Sequence, residues 1–183
     1  LIDNKYSGKL YVVNPKAENV QWQKTYHSIS ELPEVDCAIL AIPAKMCVDA
    51  VRELCSEKNC KAVIIFSAGF NEESAEGAKL EKEIVEIVDK YGASLIGPNC
   101  IGVITNRYSG VFTQPTSNVS EKGIDIISGS GATVVFIMEA AIKLGLTFSN
   151  VFSVGNSAQL GVEEILEYLD ENSLTRELLL IKI

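Results

Sequence analysis

Histidine is nearly absent from the sequence, and its scarcity limits the chemistry that the chain can perform. The single histidine, His27, lies in a polar stretch and has no catalytic partner near it in the sequence. A Ser-His-Asp arrangement therefore cannot be assembled. We interpret His27 as a bystander, and we predict no catalytic residue within this chain.

Paired cysteines are missing as well. The cysteines are odd in number, form no C-x-x-C motif and have no histidine at zinc-finger spacing. This pattern is typical of reduced thiols in a cytosolic protein, and it predicts no metal site. The residues concerned are Cys37, Cys47, Cys55, Cys60 and Cys100.

Long apolar runs and an excess of positive charge are also lacking. No apolar run approaches the roughly 20 residues that a membrane span requires, and the first residues lack the layout of a signal peptide. Sixteen basic residues against 24 acidic ones leave a net charge of -8, which disfavours binding to nucleic acid or to an anionic membrane. We expect a cytoplasmic protein with neither partner, in which backbone N–H groups hold any anionic ligand.

What the sequence does contain is a regular alternation of short apolar runs and amphipathic segments. Residues 37–42 form an unbroken apolar run, which is typical of a strand buried on both faces of a parallel sheet. Such alternation predicts parallel α/β units with right-handed crossovers. The other predicted strands are 9–13, 62–66, 94–96, 124–127, 148–153 and 178–183; the predicted helices are 44–58, 74–91, 132–144 and 162–169, with a short one near Ser28 or Ser30.

A polar stretch interrupts this alternation. Residues 106–122 are rich in Ser, Thr, Asn and Gly, a composition that favours a connector between two folding units. We therefore predict two domains, residues 1–119 and residues 120–183. Because the chain begins at Leu1 and ends at Ile183 within an apolar run, we expect it to be part of a longer protein.

The loops that follow the predicted strands are small, turn-forming or polar. Ligands of open parallel sheets bind beyond the carboxyl ends of the strands, so these loops are where a site is expected. The sharpest candidate is 128–131, whose N–H groups would lie at the positive end of a helix dipole and suit a phosphate. A simple turn with a serine cap is the alternative. The loop is not a Walker A motif, since no Gly-Lys-Ser/Thr follows.

The remaining loops allow similar pairs of interpretations. Lys16 could pair with a phosphate as a point charge or could be a solvated surface residue. Ser67 and Gly69 could approach a ligand closely or could form a sharp turn. Asn99 and Cys100 could line the same cleft, although Cys100 could instead be a small buried residue.

Taken in order, these loops resemble a known family. The strings SLIGPNCIGVIT (94–105), IDIISGSGATVVFIMEAA (124–141) and FSNVFSVGNSAQLGVEEILEYL (148–169) resemble the ADP-forming acetyl/acyl-CoA synthetases and the related α subunit of succinyl-CoA ligase. The strings LYVVNPK and VIIFSAGF agree in position. The resemblance implies a Rossmann-like CoA-binding domain, whose first strand and Gly-rich loop precede Leu1, followed by the first part of a flavodoxin-like ligase domain.

The resemblance also implies a reaction and a set of site residues. The family interconverts acyl-CoA, ADP and phosphate with a carboxylic acid, CoA and ATP through a phosphohistidine, which is expected after Ile183, so this chain alone should be inactive. ADP or ATP with Mg would bind to an ATP-grasp domain or subunit, and an oligomer is expected. The implied CoA-binding residues are Asn14, Pro15, Lys16, Ile42, Pro43, Ser67, Ala68, Gly69, Asn99 and Cys100; the implied phosphate-binding residues are Ser128, Gly129, Ser130, Gly131, Gly155 and Asn156.

Two other functions remain open. One is a non-catalytic sensor of CoA or a nucleotide, which would need only the first domain, so the restart of the pattern after residue 120 speaks against it. The other is an NAD-dependent oxidoreductase, because the fold is shared. That enzyme would need a G-x-G-x-x-G motif before an acidic strand end, whereas the strand here ends in Asn14-Pro15-Lys16, which suits a phosphate better.

Overall fold

A computed structural model of the protein describes residues 6–113, 116, 119–172 and 178–181. Residues 1–5 of the first predicted domain and residues 182–183 of the last predicted strand lie outside this description. The strands are β1 (Val12–Val13), β2 (Asn19–Val20), β3 (Gln23–Tyr26), β4 (Cys37–Leu40), β5 (Ala62–Ile65), β6 (Ser94–Ile96), β7 (Gly102–Ile104), β8 (Ser109–Val111), β9 (Val119–Ser128), β10 (Phe148–Ser153) and β11 (Leu178–Ile181). The α-helices are α1 (Ala44–Glu57), α2 (Ala75–Tyr91), α3 (Gly131–Lys143) and α4 (Val162–Asn172).

The two predicted domains, residues 1–119 and 120–183, are called the first and second halves of the chain below. The first half builds a parallel sheet in the order β4-β5-β6, with α1 and α2 as the crossovers. Both helices bury one apolar stripe against the sheet, because their apolar residues recur every three or four positions. Ser74 caps α2 by accepting a hydrogen bond from the N–H of Gly77, and Gly92 ends the helix in the left-handed conformation. These elements confirm the predicted helices 44–58 and 74–91.

Strand β4 is less buried than its sequence predicts. The expectation that 37–42 is buried on both faces is wrong, since Cys37 is exposed and Ala38 and Ile39 are only partly buried. The physical reason is that β4 lies at an edge of its sheet. It pairs with β5, and no other strand among the described residues pairs with it.

The predicted strand 9–13 is shorter than expected and lies in a separate small sheet. β1 contains only Val12 and Val13 and pairs in parallel with β3, which also pairs with the antiparallel β2. Sequence patterns missed β2 and β3 because both are short and mostly polar. The predicted short helix near Ser28 is a single 3₁₀ turn, Ile29–Glu31, with Ser28 at its N-cap.

The second sheet has the order β11-β9-β10-β7-β8. Strands β9, β10 and β11 are parallel, as the alternation predicts. However, β7 and β8 form an antiparallel hairpin, and β7 pairs with β10 in antiparallel register, so the expectation of parallel strands alone is wrong. The hairpin lies in the first half of the chain, and it therefore supplies two strands to the sheet of the second half.

The stretch 106–122, predicted as an irregular connector, is partly regular. It contains β8 and the start of β9, while residues 114, 115, 117 and 118 lie outside the described part of the chain. The polar composition was misleading because the pairing of β8 with β7 buries Gly110, which has no apolar side chain to signal a strand.

The two halves share an apolar core. Ile64 of β5, Ile127 of β9 and Phe152 of β10 belong to one buried cluster, together with Ile165 and Leu169 of α4. Burying side chains of this size stabilises a protein by about 1.5–3 kcal/mol each. The cluster therefore holds the second half against the face of the first sheet that α1 and α2 leave uncovered.

Candidate functional site

The loops that follow β4, β5 and β6 lie side by side at one rim of the first sheet. The hydroxyl of Ser67 donates to the carbonyl of Ile42 at 2.5 Å, and the N–H of Asn99 donates to the carbonyl of Ser67 at 2.9 Å. A Cβ placed at Gly69 would lie 3.2 Å from the Cβ of Ala44, so the loop after β5 also borders the start of α1. The structure thus brings together Ile42, Pro43, Ser67, Ala68, Gly69, Asn99 and Cys100.

The rim continues into the second half of the chain through Gly155. Its φ is +56°, and a Cβ there would lie 2.2 Å from the carbonyl oxygen of Pro98, so only glycine fits without a backbone shift. The N–H of Asn156 donates to the same carbonyl at 2.9 Å, and Asn99 Nδ2 donates to Asn156 Oδ1 at 3.3 Å. Two residues predicted to bind phosphate therefore touch a loop predicted to bind CoA.

The loop 128–131 joins β9 to α3. It follows the carboxyl end of β9, and Gly155 follows the carboxyl end of the neighbouring parallel strand β10. Ser130 is the N-cap of α3, and its Oγ accepts hydrogen bonds from the N–H of Thr133 at 3.3 Å and from the Thr133 hydroxyl at 2.9 Å. Within the described residues, no hydrogen bond uses the N–H of Gly131 or of Ala132. The serine cap of the simple-turn interpretation is present, and two further amides at the positive end of the helix stay open to an anion.

The loop after β1 borders a cavity of about 1020 Å³, which Pro15 lines. Asn14 Oδ1 accepts hydrogen bonds from the N–H groups of Lys16 and Ala17 at 2.9 and 3.0 Å, a turn that holds the loop and leaves the Lys16 side chain exposed. Pro15 and Ile42 both line the cavity, so this loop is close to the end of β4. The remainder of the cavity runs along β4 away from the rim, and the other predicted site residues do not line it.

The start of α1 is a positively charged helix end, where sequence reasoning predicted Ile42 and Pro43 as CoA-binding residues but missed Lys45. Pro43 occupies the N-cap and makes no side-chain cap, and the first turn contains no acidic residue. It contains Lys45 instead, which is exposed and lines the same cavity as Pro15. Because most helices begin with a capping side chain and favour acidic residues in the first turn, the string Pro-Ala-Lys was the signal that could have revealed this site.

The loop after β5 is closed by a carboxylate from the same chain. The N–H groups of Gly69 and Phe70 donate to Glu72 Oε1 at 2.6 and 3.2 Å, and Asn156 Nδ2 donates to Glu72 Oε2. Burial alone would raise the pKa of Glu72, but these hydrogen bonds together outweigh it and lower the pKa below its usual range. The Gly69 amide is thus already occupied. Sequence reasoning missed Glu72 because adjacent glutamates are typical of solvated surface.

Cys100 is a packed residue beside the rim. It is only 2% exposed, and its thiol donates to the carbonyl of Ile65 at 3.3 Å. Burial raises the pKa of the Cys100 thiol to about 12, so the thiol stays protonated at neutral pH. Cys100 therefore contributes shape rather than a nucleophile.

The described residues contain neither a cluster of metal-ligating side chains nor a membrane-spanning helix. No group of three or more His, Cys, Asp and Glu side chains in that part of the chain is arranged to hold a metal ion. None of the helices described there is both long and apolar enough to cross a membrane.

Comparison with known families agrees with this arrangement of loops. Residues 3–106 match the family model described as a CoA binding domain. The chain belongs to this CoA-binding family. Residues 121–181 match a second model, described as a succinyl-CoA ligase like flavodoxin domain. The resemblance inferred from the loops is therefore confirmed, and so is the predicted α/β fold class.

Relatives of the CoA-binding chain include archaeal ligases. ADP-forming acetate–CoA ligase I of Archaeoglobus fulgidus is 40% identical over 96% of this chain, which covers 26% of that protein. The α subunit of ADP-forming acetate–CoA ligase II of Pyrococcus furiosus is 44% identical over 88% of this chain, which covers 35% of that subunit. The solved apo structure of dinucleotide forming acetyl-coenzyme A synthetase 1 of Ca. Korarchaeum cryptofilum has a TM-score of 0.88 at 27% identity, covering 98% of this chain and 39% of that one. This chain therefore spans well under half the length of these proteins.

Proposed function

We propose that the chain is the CoA-binding part of an NDP-forming acyl-CoA synthetase. The complete protein would interconvert acyl-CoA, ADP and phosphate with a carboxylic acid, CoA and ATP. The observation that carries this proposal is the contact of Gly155 and Asn156 with Pro98 and Asn99, because it sets the loop predicted to bind phosphate beside a loop predicted to bind CoA. Membership of the CoA-binding family supports the identity of the ligand.

The rim suits a polyanionic thiol carrier despite the net charge of -8. The uncapped start of α1 offers amides at its positive end, and Lys45 in its first turn is exposed, as is Lys16 in the loop after β1. CoA would supply the thiol that carries the acyl group. Asn14, Pro15 and Lys16 would hold its nucleotide end, Ile42, Pro43, Ser67, Ala68 and Gly69 would line its path, and Asn99 and Cys100 would border its thiol end.

The second half would hold the phosphoryl group. Ser128, Gly129, Ser130 and Gly131 would surround it at the start of α3, with Gly155 and Asn156 beside them. Phosphoryl transfer depends mainly on positioning and on charge stabilisation by fixed groups, which backbone amides at a helix end provide.

The remaining parts of the reaction would lie outside this chain. The catalytic histidine would follow Ile183, and ADP or ATP with Mg²⁺ would bind to an ATP-grasp domain or subunit. This chain alone would then be inactive. The assembly would be a cytoplasmic oligomer.

Full-length protein tests the proposal. Incubation with ATP, or with acyl-CoA and phosphate, should place an acid-labile phosphate on a histidine, and acyl-CoA, ADP and phosphate together should yield ATP. Calorimetric titration should show binding of CoA. Binding of CoA with no phosphate on any histidine would defeat the enzyme and favour the sensor, whereas failure to bind CoA would defeat both.

A further inference from the structure

Asn156 is the most heavily bonded contact between the two halves of the chain. Its Nδ2 group donates to Glu72 Oε2 and, at 2.9 Å, to Glu81 Oε2. Its Oδ1 accepts from Asn99, and its N–H donates to Pro98. Every polar group of the side chain is thus satisfied by the first half, so the loop after β10 is fixed in place.

Glu72 connects this contact to the loop after β5. One of its carboxylate oxygens accepts from the N–H groups of Gly69 and Phe70, and the other accepts from Asn156. Hydrogen bonds to an ionised carboxylate are about twice as strong as neutral ones. The loop predicted to line the CoA path and the loop predicted to border the phosphate therefore cannot move independently.

The residue type at position 156 is specific to this arrangement. Two carboxylates, Glu72 and Glu81, face the same amide nitrogen, so an aspartate there would place a third negative charge against them.

The hydrogen bonds to Glu72 also set the pH range of this contact. Burial raises the pKa of Glu72, but the hydrogen bonds together lower it by more. The network is therefore fully formed above the pKa of a glutamate in the unfolded chain. It is lost only as the pH falls through the lower folded value.

From these contacts we infer that Glu72 and Asn156 are positioning residues that hold the thiol end of the CoA site at a fixed distance from the phosphate loop. The inference rests on the proposed function. In this role, both side chains act through the loops that they join. Their effect is on the step that requires CoA and phosphate together, because a displacement of about 1 Å at a site can slow a reaction by as much as 100-fold.

The test compares two activities of the full-length protein. Glu72→Gln should slow CoA-dependent turnover by about tenfold, given such sensitivity to misplacement, because the glutamine amide nitrogen would face the Asn156 amide nitrogen and the bond between the two loops would be lost. Phosphorylation of the protein by ATP in the absence of CoA, and the calorimetric affinity for CoA, should change by less than about twofold, because neither needs both loops at once and because the glutamine oxygen still accepts from Gly69 and Phe70. Adding Asn156→Asp to Glu72→Gln should restore part of the turnover, since the glutamine amide can donate to the new carboxylate.

Gln159 provides a matched control on the same loop. Its side chain also joins the halves, accepting from the N–H of Leu95 at 2.6 Å and donating to Asp89 at 2.6 Å, but these partners lie away from the rim loops. Gln159→Glu should lower the melting temperature as Glu72→Gln does and should keep the CoA-dependent turnover.

Three results would overturn the inference. They are unchanged turnover in Glu72→Gln, an equal loss of ATP-dependent phosphorylation in that variant, or an equal loss of turnover in Gln159→Glu. A wild-type protein that binds CoA but shows no CoA-dependent turnover would instead remove the proposed function, and the inference with it.

Discussion

Two helix N-termini face the same rim of the protein, and they are built differently. α3 begins at Ser130, whose hydroxyl caps the helix by accepting from Thr133. α1 begins at Pro43, which provides no cap, and carries Lys45 in its first turn. A serine cap stabilises a protein by about 1 kcal/mol. The start of α3 has this stabilisation, and the start of α1 lacks it. If the proposed function holds, the side of the rim assigned to phosphate is largely built by the chain, whereas the side assigned to CoA is completed by the ligand.

The two helix N-termini can share one rim only while the two halves stay docked, and Gly155 lies at the junction of the halves, against Pro98. A substitution there should have the largest effect on stability. Gly155→Ala should lower the free energy of unfolding of the full-length protein by about 3 kcal/mol, because its Cβ would meet the Pro98 carbonyl and because the left-handed backbone is unfavourable for alanine. Chemical denaturation measures the change. Gly129→Ala is the matched control, since its Cβ would lie 3.6 Å from the carbonyl oxygen of Gly155, an ordinary van der Waals contact. Equal losses in the two variants would show that the junction does not hold the halves together.

The missing cap of α1 can be supplied by mutation. Pro43→Asp would cap the first turn and would place a negative charge where the CoA phosphates are proposed to lie. The affinity for CoA should fall by about tenfold, or about 1.4 kcal/mol, with no loss of melting temperature. Calorimetry and thermal melting measure the two effects, and Pro43→Ser, a neutral cap, should weaken CoA binding less. If Pro43→Asp bound CoA as tightly as the wild type, the start of α1 would lie outside the site.

Local patterns explain why most of the helices and parallel strands could be predicted. α2 is bounded by Ser74 and Gly92, whose capping roles depend on a few neighbouring residues. Strands β6 and β10 are likewise marked by local runs of apolar residues, and their predicted and observed bounds are identical. Candidate loops could also be found, because the ends of parallel strands meet at one edge whatever the details of packing.

Long-range contacts explain what could not be predicted. β7 and β8 are three residues each, and β7 pairs with β10, nearly 50 positions away, so no local period marks them. Glu72 and Asn156 are 84 positions apart, and nothing in either neighbourhood indicates the other. The exposure of β4 depends in the same way on which strands flank it.

Removing the cap of α3 should have a smaller effect than changing the start of α1, and on a different quantity. Ser130→Ala should lower the free energy of unfolding by about 1 kcal/mol, because the N–H of Thr133 loses its acceptor. Ser74→Ala removes the corresponding cap of α2 and should have a similar effect. Denaturation of both variants and calorimetry with CoA test this. A marked loss of CoA affinity in Ser130→Ala would mean that the two helix ends do not divide the work as we propose.

Lys16 should show the smallest effect, because its side chain is exposed and an exposed charge is well screened by water and salt. Lys16→Ala should weaken CoA binding by about threefold at low ionic strength and by less as salt is added. Lys24→Ala removes the same charge from β3 in the same small sheet, but Lys24 opposes Asn19 at the end of β3 that is farther from the rim. It should leave the affinity unchanged. If both substitutions weakened binding equally, the attraction would come from the overall charge of the sheet, and Lys16 would no longer belong to the site.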